Sequence, residues 1–222
     1  MNLPMIVKRS LVQLRNRIAI LRHQRRLQTV AQPEAATTLD YLETQLRRTY
    51  EKRGAPLQTR TKVLIDKIAN VTDLQGKTVL CIGCRNSQEL NYFRSKGAQT
   101  VQGIDLFSEN PAILVMDMHQ MTFPDAQFDV VYSSHSLEHA HTPAKVAQEI
   151  LRVARPQAVI AIEMPIRYET RGADLIDMES TANLHKLFAP HITSVLLQEE
   201  FAANTPDNAT GTPIARTIFK VD

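Results

Sequence analysis

Four short strings hold residues whose types and order suit them to bind or react. Ile82–Leu90 (IGCRNSQEL) places Gly83, Cys84 and Arg85 in a turn that leads into a helix. GIDLFSEN carries Asp105 and Leu106, and VMDMHQ carries Asp117 and Met118. FDVVYSSHSLEHAHTP carries Ser134, His135, Glu138, His139 and His141. Glycine allows the backbone to approach a ligand closely, and a helix start offers free amides. A carboxylate just after a strand is placed to accept hydrogen bonds from ribose hydroxyls. Histidine is the side-chain type best suited to moving a proton near neutral pH.

These strings need a scaffold that presents strand ends side by side. Lys62–Val71 reads as a helix and Lys77–Ile82 as a strand buried on both faces. A helix over Ser87–Lys96 stops at Gly97. Strands follow at Thr100–Leu106, Ile113–Met118 and Phe128–Ser134, then a helix over Ala144–Val153. Ala158–Met164 reads as an apolar strand cut off by Pro165, followed by a helix over Thr181–Phe188. Strands at Ile192–Glu200 and Ala215–Val221 flank the turn-rich TPDNATGTP. The pattern predicts an α/β fold: a Rossmann-like doubly wound sheet, mostly parallel with an antiparallel closing strand, plus an N-terminal helical extension. In such sheets ligands bind outside the C-terminal strand ends, where the four strings fall.

The chain has 222 residues, 43% hydrophobic and 22% charged, which excludes disordered and disulfide-scaffold classes. No apolar run approaches the roughly 18 residues of a membrane span. Cys81 and Cys84 are too close to staple distant segments, so a reducing, cytoplasmic setting is expected. The net charge of +3 conceals a division. Residues 1–60 hold 12 Lys/Arg against 4 acids, and residues 61–222 hold 14 against 19. Residues 1–56 therefore read as a basic helical extension and 57–222 as the main domain. In the extension, Val7, Leu11, Leu14, Ile18 and Leu21 form one helical stripe, and Leu39, Leu42, Leu46 and Tyr50 share a face of a second helix over Thr38–Lys52. Four readings of the extension stand: a capping helix pair with solvated charges, contact with an anionic membrane through residues 5–28, nucleic-acid contact, ranked lower for want of a motif, and an organellar transit peptide.

Over about residues 60–165 the order of strings resembles the class I S-adenosylmethionine-dependent methyltransferases, in particular the broad group with LEH after the fourth strand. The resemblance implies S-adenosylmethionine as cofactor, bound by Gly83, Cys84, Arg85, Asp105, Leu106, Asp117, Met118 and Ser134. It implies that Asp105 holds the ribose, Asp117 accepts from the adenine amino group, and Ser134 lines the methionine end. The family's first motif is acid-x-Gly-x-Gly-x-Gly; here Cys81, Gly83, Arg85 and Ser87 fill the four places. Arg85 has three readings: outward, on the cofactor carboxylate, or paired with Glu89. Cys81 reads as a core residue and Cys84 as a cofactor-loop residue, ahead of a zinc or redox CxxC.

The region also resembles ubiquinone-pathway O-methyltransferases, in which an acid at the place of His135 joins the Glu and His of LEH around a divalent metal. Since His135 replaces that acid, no metal is assigned. His135 and His139 are assigned as substrate-facing bases, with a structural helix-start pair as the other reading. The segment 167–179 is expected over the acceptor. The implied activity is methyl transfer to an oxygen or nitrogen of a small-molecule, sugar or lipid-linked acceptor. The alternative is a non-catalytic scaffold whose basic extension binds an anionic partner.

Overall fold

The computed structural model describes residues 39–52 and 54–222, together with 14, 18, 21 and 22. Leu14, Ile18, Leu21 and Arg22 are helical and exposed. The rest of the stripe from Val7, and with it the contact expected through residues 5–28, lies outside the described residues. The elements run α1 (Leu39–Lys52), α2 (Thr59–Val71), β1 (Thr78–Ile82), α3 (Gln88–Ser95), β2 (Thr100–Asp105), β3 (Ile113–Val115) and β4 (Phe128–Ser134). A single 3-10 turn over Leu137–His139 precedes α4 (Pro143–Val153), β5 (Ala154–Pro165), α5 (Thr181–Lys186), β6 (Ile192–Phe201) and β7 (Ile214–Val221).

The seven strands form one sheet in the order β3-β2-β1-β4-β5-β7-β6. Pairings from β3 through β5 are parallel, and β7 enters antiparallel between β5 and β6. The expected doubly wound, mostly parallel sheet with an antiparallel closing strand is therefore present. Alternation along β1 explains the two-sided core. Val79 and Cys81 pack with Leu64, Ile65 and Ile68 of α2 and Leu90 and Phe93 of α3 on one face. Leu80 and Ile82 pack with Val146, Ala147 and Ile150 of α4 on the other. Chain order reverses between β1 and β4, which opens a crevice at their C-terminal ends. Among the described residues, no helix is long and apolar enough to cross a membrane.

Two elements differ informatively from the sequence reading. The third strand stops at Val115, because the Asp117 side chain caps its own turn: Oδ1 accepts the His119 backbone N–H at 2.8 Å. The fifth strand is longer than expected and is not apolar throughout. Glu163 lies within it, fully buried, and register sets it opposite Arg216 of β7. Arg216 in turn stands opposite Glu199 of β6.

Candidate functional site

The turn after β1 is built on Gly83, whose φ of +75° is a left-handed conformation that favours glycine. A Cβ there would overlap Ser136 Oγ. The Gly83 N–H donates to Ile104 O at 2.8 Å, and the Ser136 hydroxyl donates to Ile82 O at 3.0 Å. The ends of β1, β2 and β4 are thereby tied together. Two cavities meet at Gly83, of about 610 Å³ and 520 Å³.

The first cavity lies over β1, β2 and the β3 end. Leu106, Met116 and Met118 form part of its apolar wall, and Asp105 and Asp117 supply its carboxylates. Asp105 Oδ1 accepts the Phe107 N–H at 3.0 Å. Burial pushes the Asp105 carboxyl above its ordinary range, opposed by that hydrogen bond and by Arg85. Burial acts upward on Asp117 too, but hydrogen bonds from His119 outweigh it and hold its carboxyl low. His119 Nδ1 lies 2.6 Å from Asp117 Oδ1, and the His119 and His141 rings stack at 3.7 Å. Asp117, His119 and His141 bring their donor atoms within 4.8 Å of one another. The lone pairs of two stacked imidazoles run parallel in their ring planes, so they converge poorly on one ion. The contact that forms is the histidine–aspartate hydrogen bond.

Helix α1 forms one wall of this cavity. Tyr41, Leu42 and Gln45 line it, and the Tyr41 hydroxyl donates to His139 O at 3.0 Å. Leu42 and Leu46 pack against Phe107 and Ala173, and Arg48 pairs with Asp174 at 3.0 Å. The helix assigned by sequence to the extension is thus part of the site wall. Its segment 41–49 reaches residues about a hundred positions away, a contact with no local sequence signal.

His139 also faces the first cavity. Its Nδ1 lies 2.8 Å from Ala173 O and 3.2 Å from Asp174 Oδ1. A carbonyl only accepts, so Nδ1 carries a proton and Nε2 is the acceptor of the neutral ring. The His139 hydrogen bond holds the Asp174 carboxyl far below its usual range, with Arg48 adding to the effect. A carboxyl depressed in the folded state contributes stability that is present above its unfolded pKa and lost as pH falls toward the folded value. The stability difference between wild type and Asp174→Asn is therefore expected to be largest at pH 7 and to shrink below about pH 4. Urea titrations across that range measure it, and a difference that grew on acidification would contradict the assignment.

The second cavity is lined by Arg60, Thr61, Arg85, Glu89, Ser134 and His135, among others. His135 has a φ of +52°, uncommon outside glycine and often a mark of functional strain. Its Nδ1 lies 3.7 Å from Glu138 Oε1 and its Nε2 3.5 Å from Glu163 Oε1. Glu163 accepts from Arg216 Nε at 2.7 Å, Arg216 Nη1 reaches Glu199 at 3.2 Å, and Lys67 closes the line on Glu199 at 2.8 Å. Burial acts upward on Glu163, but His135 and Arg216 outweigh it and keep it charged.

The predicted residues thus divide. Gly83 borders both cavities; Asp105, Leu106, Asp117, Met118 and His139 face the first; Arg85, Ser134 and His135 face the second. Cys84 faces neither, which corrects its placement as a cofactor-loop residue. Its side chain is fully buried beside Gly103, where a Cβ would overlap its sulfur, and Sγ contacts Cys81 O and Ile104 O. Burial raises both thiols well above their ordinary range, which disfavours the thiolate at each. The residues the sequence reading passed over are Tyr41, Gln45, Ser136, Glu163 and Arg216. An acid inside an otherwise apolar strand was the one available signal, at Glu163.

Residues 80–162 match the methyltransferase domain family. Over those residues the chain is similar to methyltransferase domains. It is 25% identical over 130 residues to 27-O-demethylrifamycin SV methyltransferase of Amycolatopsis mediterranei, an alignment covering 51% of this chain. The chain spans about half, 48%, of that protein's length. Among solved structures, the chain is similar in fold to the Burkholderia thailandensis 1,6-didemethyltoxoflavin-N1-methyltransferase with bound S-adenosylhomocysteine. The TM-score is 0.61 at 16% identity, covering 82% of this chain and 85% of that one. The SpnF cyclase has a TM-score of 0.59 at 16% identity, covering 82% and 93%. The same sheet therefore supports more than one chemistry, and activity rests on the site.

The residues present fit S-adenosylmethionine, the cofactor that the resemblance implies. Two carboxylates flank a cavity with apolar walls, as an adenosine requires. The adjoining cavity carries both signs of charge, and Arg60 Nε is buried there with no hydrogen-bond partner among the described residues.

Proposed function

We propose that this protein transfers a methyl group to an oxygen or nitrogen of a small-molecule, sugar or lipid-linked acceptor. The observation that carries this reading is the pairing of the Asp105–Asp117 cavity with a second cavity containing His135 backed by Glu138 and Glu163. When bound, S-adenosylmethionine supplies an electrophilic sulfonium methyl. Asp105 accepts from the ribose hydroxyls, and the Asp117 carboxylate, held on one oxygen by His119, accepts from the adenine amino group. Leu106 and Met118 pack the base, and α1 with Tyr41 and Leu42 excludes water from that half.

His135 takes the proton of the attacking hydroxyl or amine. Its two carboxylate contacts are longer than ordinary hydrogen bonds, so neither ring nitrogen is held as a committed donor, and either carboxylate can accept from the new N–H. His139 is the second base, through the Nε2 that the Nδ1–H contact leaves as acceptor. The relatives support a small acceptor, since one is named for an O-methyl product step and the other for an N1-methyl transfer.

The test combines calorimetry with labelled methyl transfer into a cell extract. Wild type is expected to bind S-adenosylhomocysteine and to label the low-mass or lipid-extractable fraction. His135→Ala is expected to keep that binding within about twofold and to lose about 10²-fold in transfer, the usual worth of a base. No binding at millimolar ligand, or label confined to protein or nucleic acid, would defeat the proposal.

A further inference from the structure

The N-terminal extension carries a charged, apolar-striped surface that the site does not use. Leu14, Ile18 and Leu21 are helical and stand at steps of four and three, which puts them on one face. They are 56%, 42% and 58% exposed, so the body does not cover that face. Arg22, also helical and exposed, lies one turn from Ile18 and borders the stripe. Around them the sequence holds seven Lys/Arg, from Lys8 to Arg26, and no acid before Glu34. Large aliphatic side chains sharing one exposed face are costly in water and mark a surface that meets an apolar phase.

We infer that residues 5–28 dock on an anionic lipid bilayer, with Leu14, Ile18 and Leu21 inserted at the acyl boundary and Arg22 among the lipid phosphates. Each other occupant answers only one of the two features. A second copy of the same stripe would cover the apolar face but bring seven positive charges against seven. Nucleic acid would pair with the arginines but leave the stripe in water, and no aromatic residue for base stacking precedes Tyr41. An anionic bilayer answers both: charge draws the arm to the surface, and the stripe then leaves water. Helix α1 follows in the chain and is fixed to the body through Tyr41 and Arg48, so a docked arm holds the body at that surface. The inference does not depend on the cofactor reading above.

The experiment is co-sedimentation of the full chain with vesicles of phosphatidylcholine alone and of phosphatidylcholine with about one-third phosphatidylglycerol. Wild type is expected to bind the anionic vesicles at least about tenfold more tightly, and less tightly as salt rises. Leu14→Gln combined with Ile18→Gln keeps every charge and is expected to weaken that binding about 10²-fold. Arg22→Gln should weaken it about fivefold. All three residues are exposed, so the urea midpoint should stay in place and separate lost binding from lost fold. No binding to the anionic vesicles, or equal binding to both kinds, would overturn the inference. A Leu14 and Ile18 double variant that bound like wild type would overturn it too, since charge alone would then suffice. Displacement of the chain from anionic vesicles by duplex DNA or RNA would assign the arm to nucleic acid instead.

Discussion

Arg216→Met is expected to lower the free energy of unfolding by about 3–5 kcal/mol, a large part of a typical domain's stability. Arg216 is 1% exposed and its Nε lies 2.7 Å from Glu163, which has no exposure. Removing the guanidinium leaves a carboxylate deep in the sheet with only His135 nearby. Glu163→Gln should cost less, about 1–3 kcal/mol, because Arg216 keeps Glu199 at 3.2 Å and that acid keeps Lys67. The double variant Glu163→Leu with Arg216→Met removes both charges at once and should recover most of the loss. Urea denaturation of the wild type and these three variants measures the differences. Arg216→Met within about 1 kcal/mol of wild type would show that the pair does not hold the sheet.

Asp105→Ala is expected to weaken S-adenosylhomocysteine binding by about 10²–10³-fold while changing stability by no more than about 1 kcal/mol. On the proposed reading, two charge-assisted hydrogen bonds to ribose hydroxyls, at about 1.5–3 kcal/mol each, account for the binding loss. Stability changes little because two effects oppose. The variant loses the 3.0 Å bond from Phe107 N–H, but it also removes a carboxylate that burial disfavours. A site residue of this kind favours ligand over fold. Calorimetry and denaturation on the same preparation separate the two quantities. Binding retained within threefold would move the ribose site away from β2.

Gly83, Asp105 and Asp117 were legible because each belongs to a local unit: a strand, then a turn, then a residue whose direction follows from the strand's end. The alternation of buried strands and amphipathic helices fixes the sheet, and the sheet fixes that these three residues gather at one edge. Position 84 shows where locality fails. Whether a turn residue faces ligand or core depends on what the neighbouring strand offers, and Gly103 of β2 leaves room only for the Cys84 sulfur.

The sequence by itself therefore determined the doubly wound, mostly parallel sheet and the carboxylates that follow its strands. These follow from patterns of two and of 3.6 residues, which short-range sterics and burial enforce. Only the tertiary structure decided that α1 walls the first cavity through Tyr41, and that β5, β7 and β6 align Glu163, Arg216 and Glu199 behind His135. Those contacts join segments tens of residues apart, and a one-residue shift in register would turn each side chain to the opposite face. Their geometry exists only once the sheet has closed.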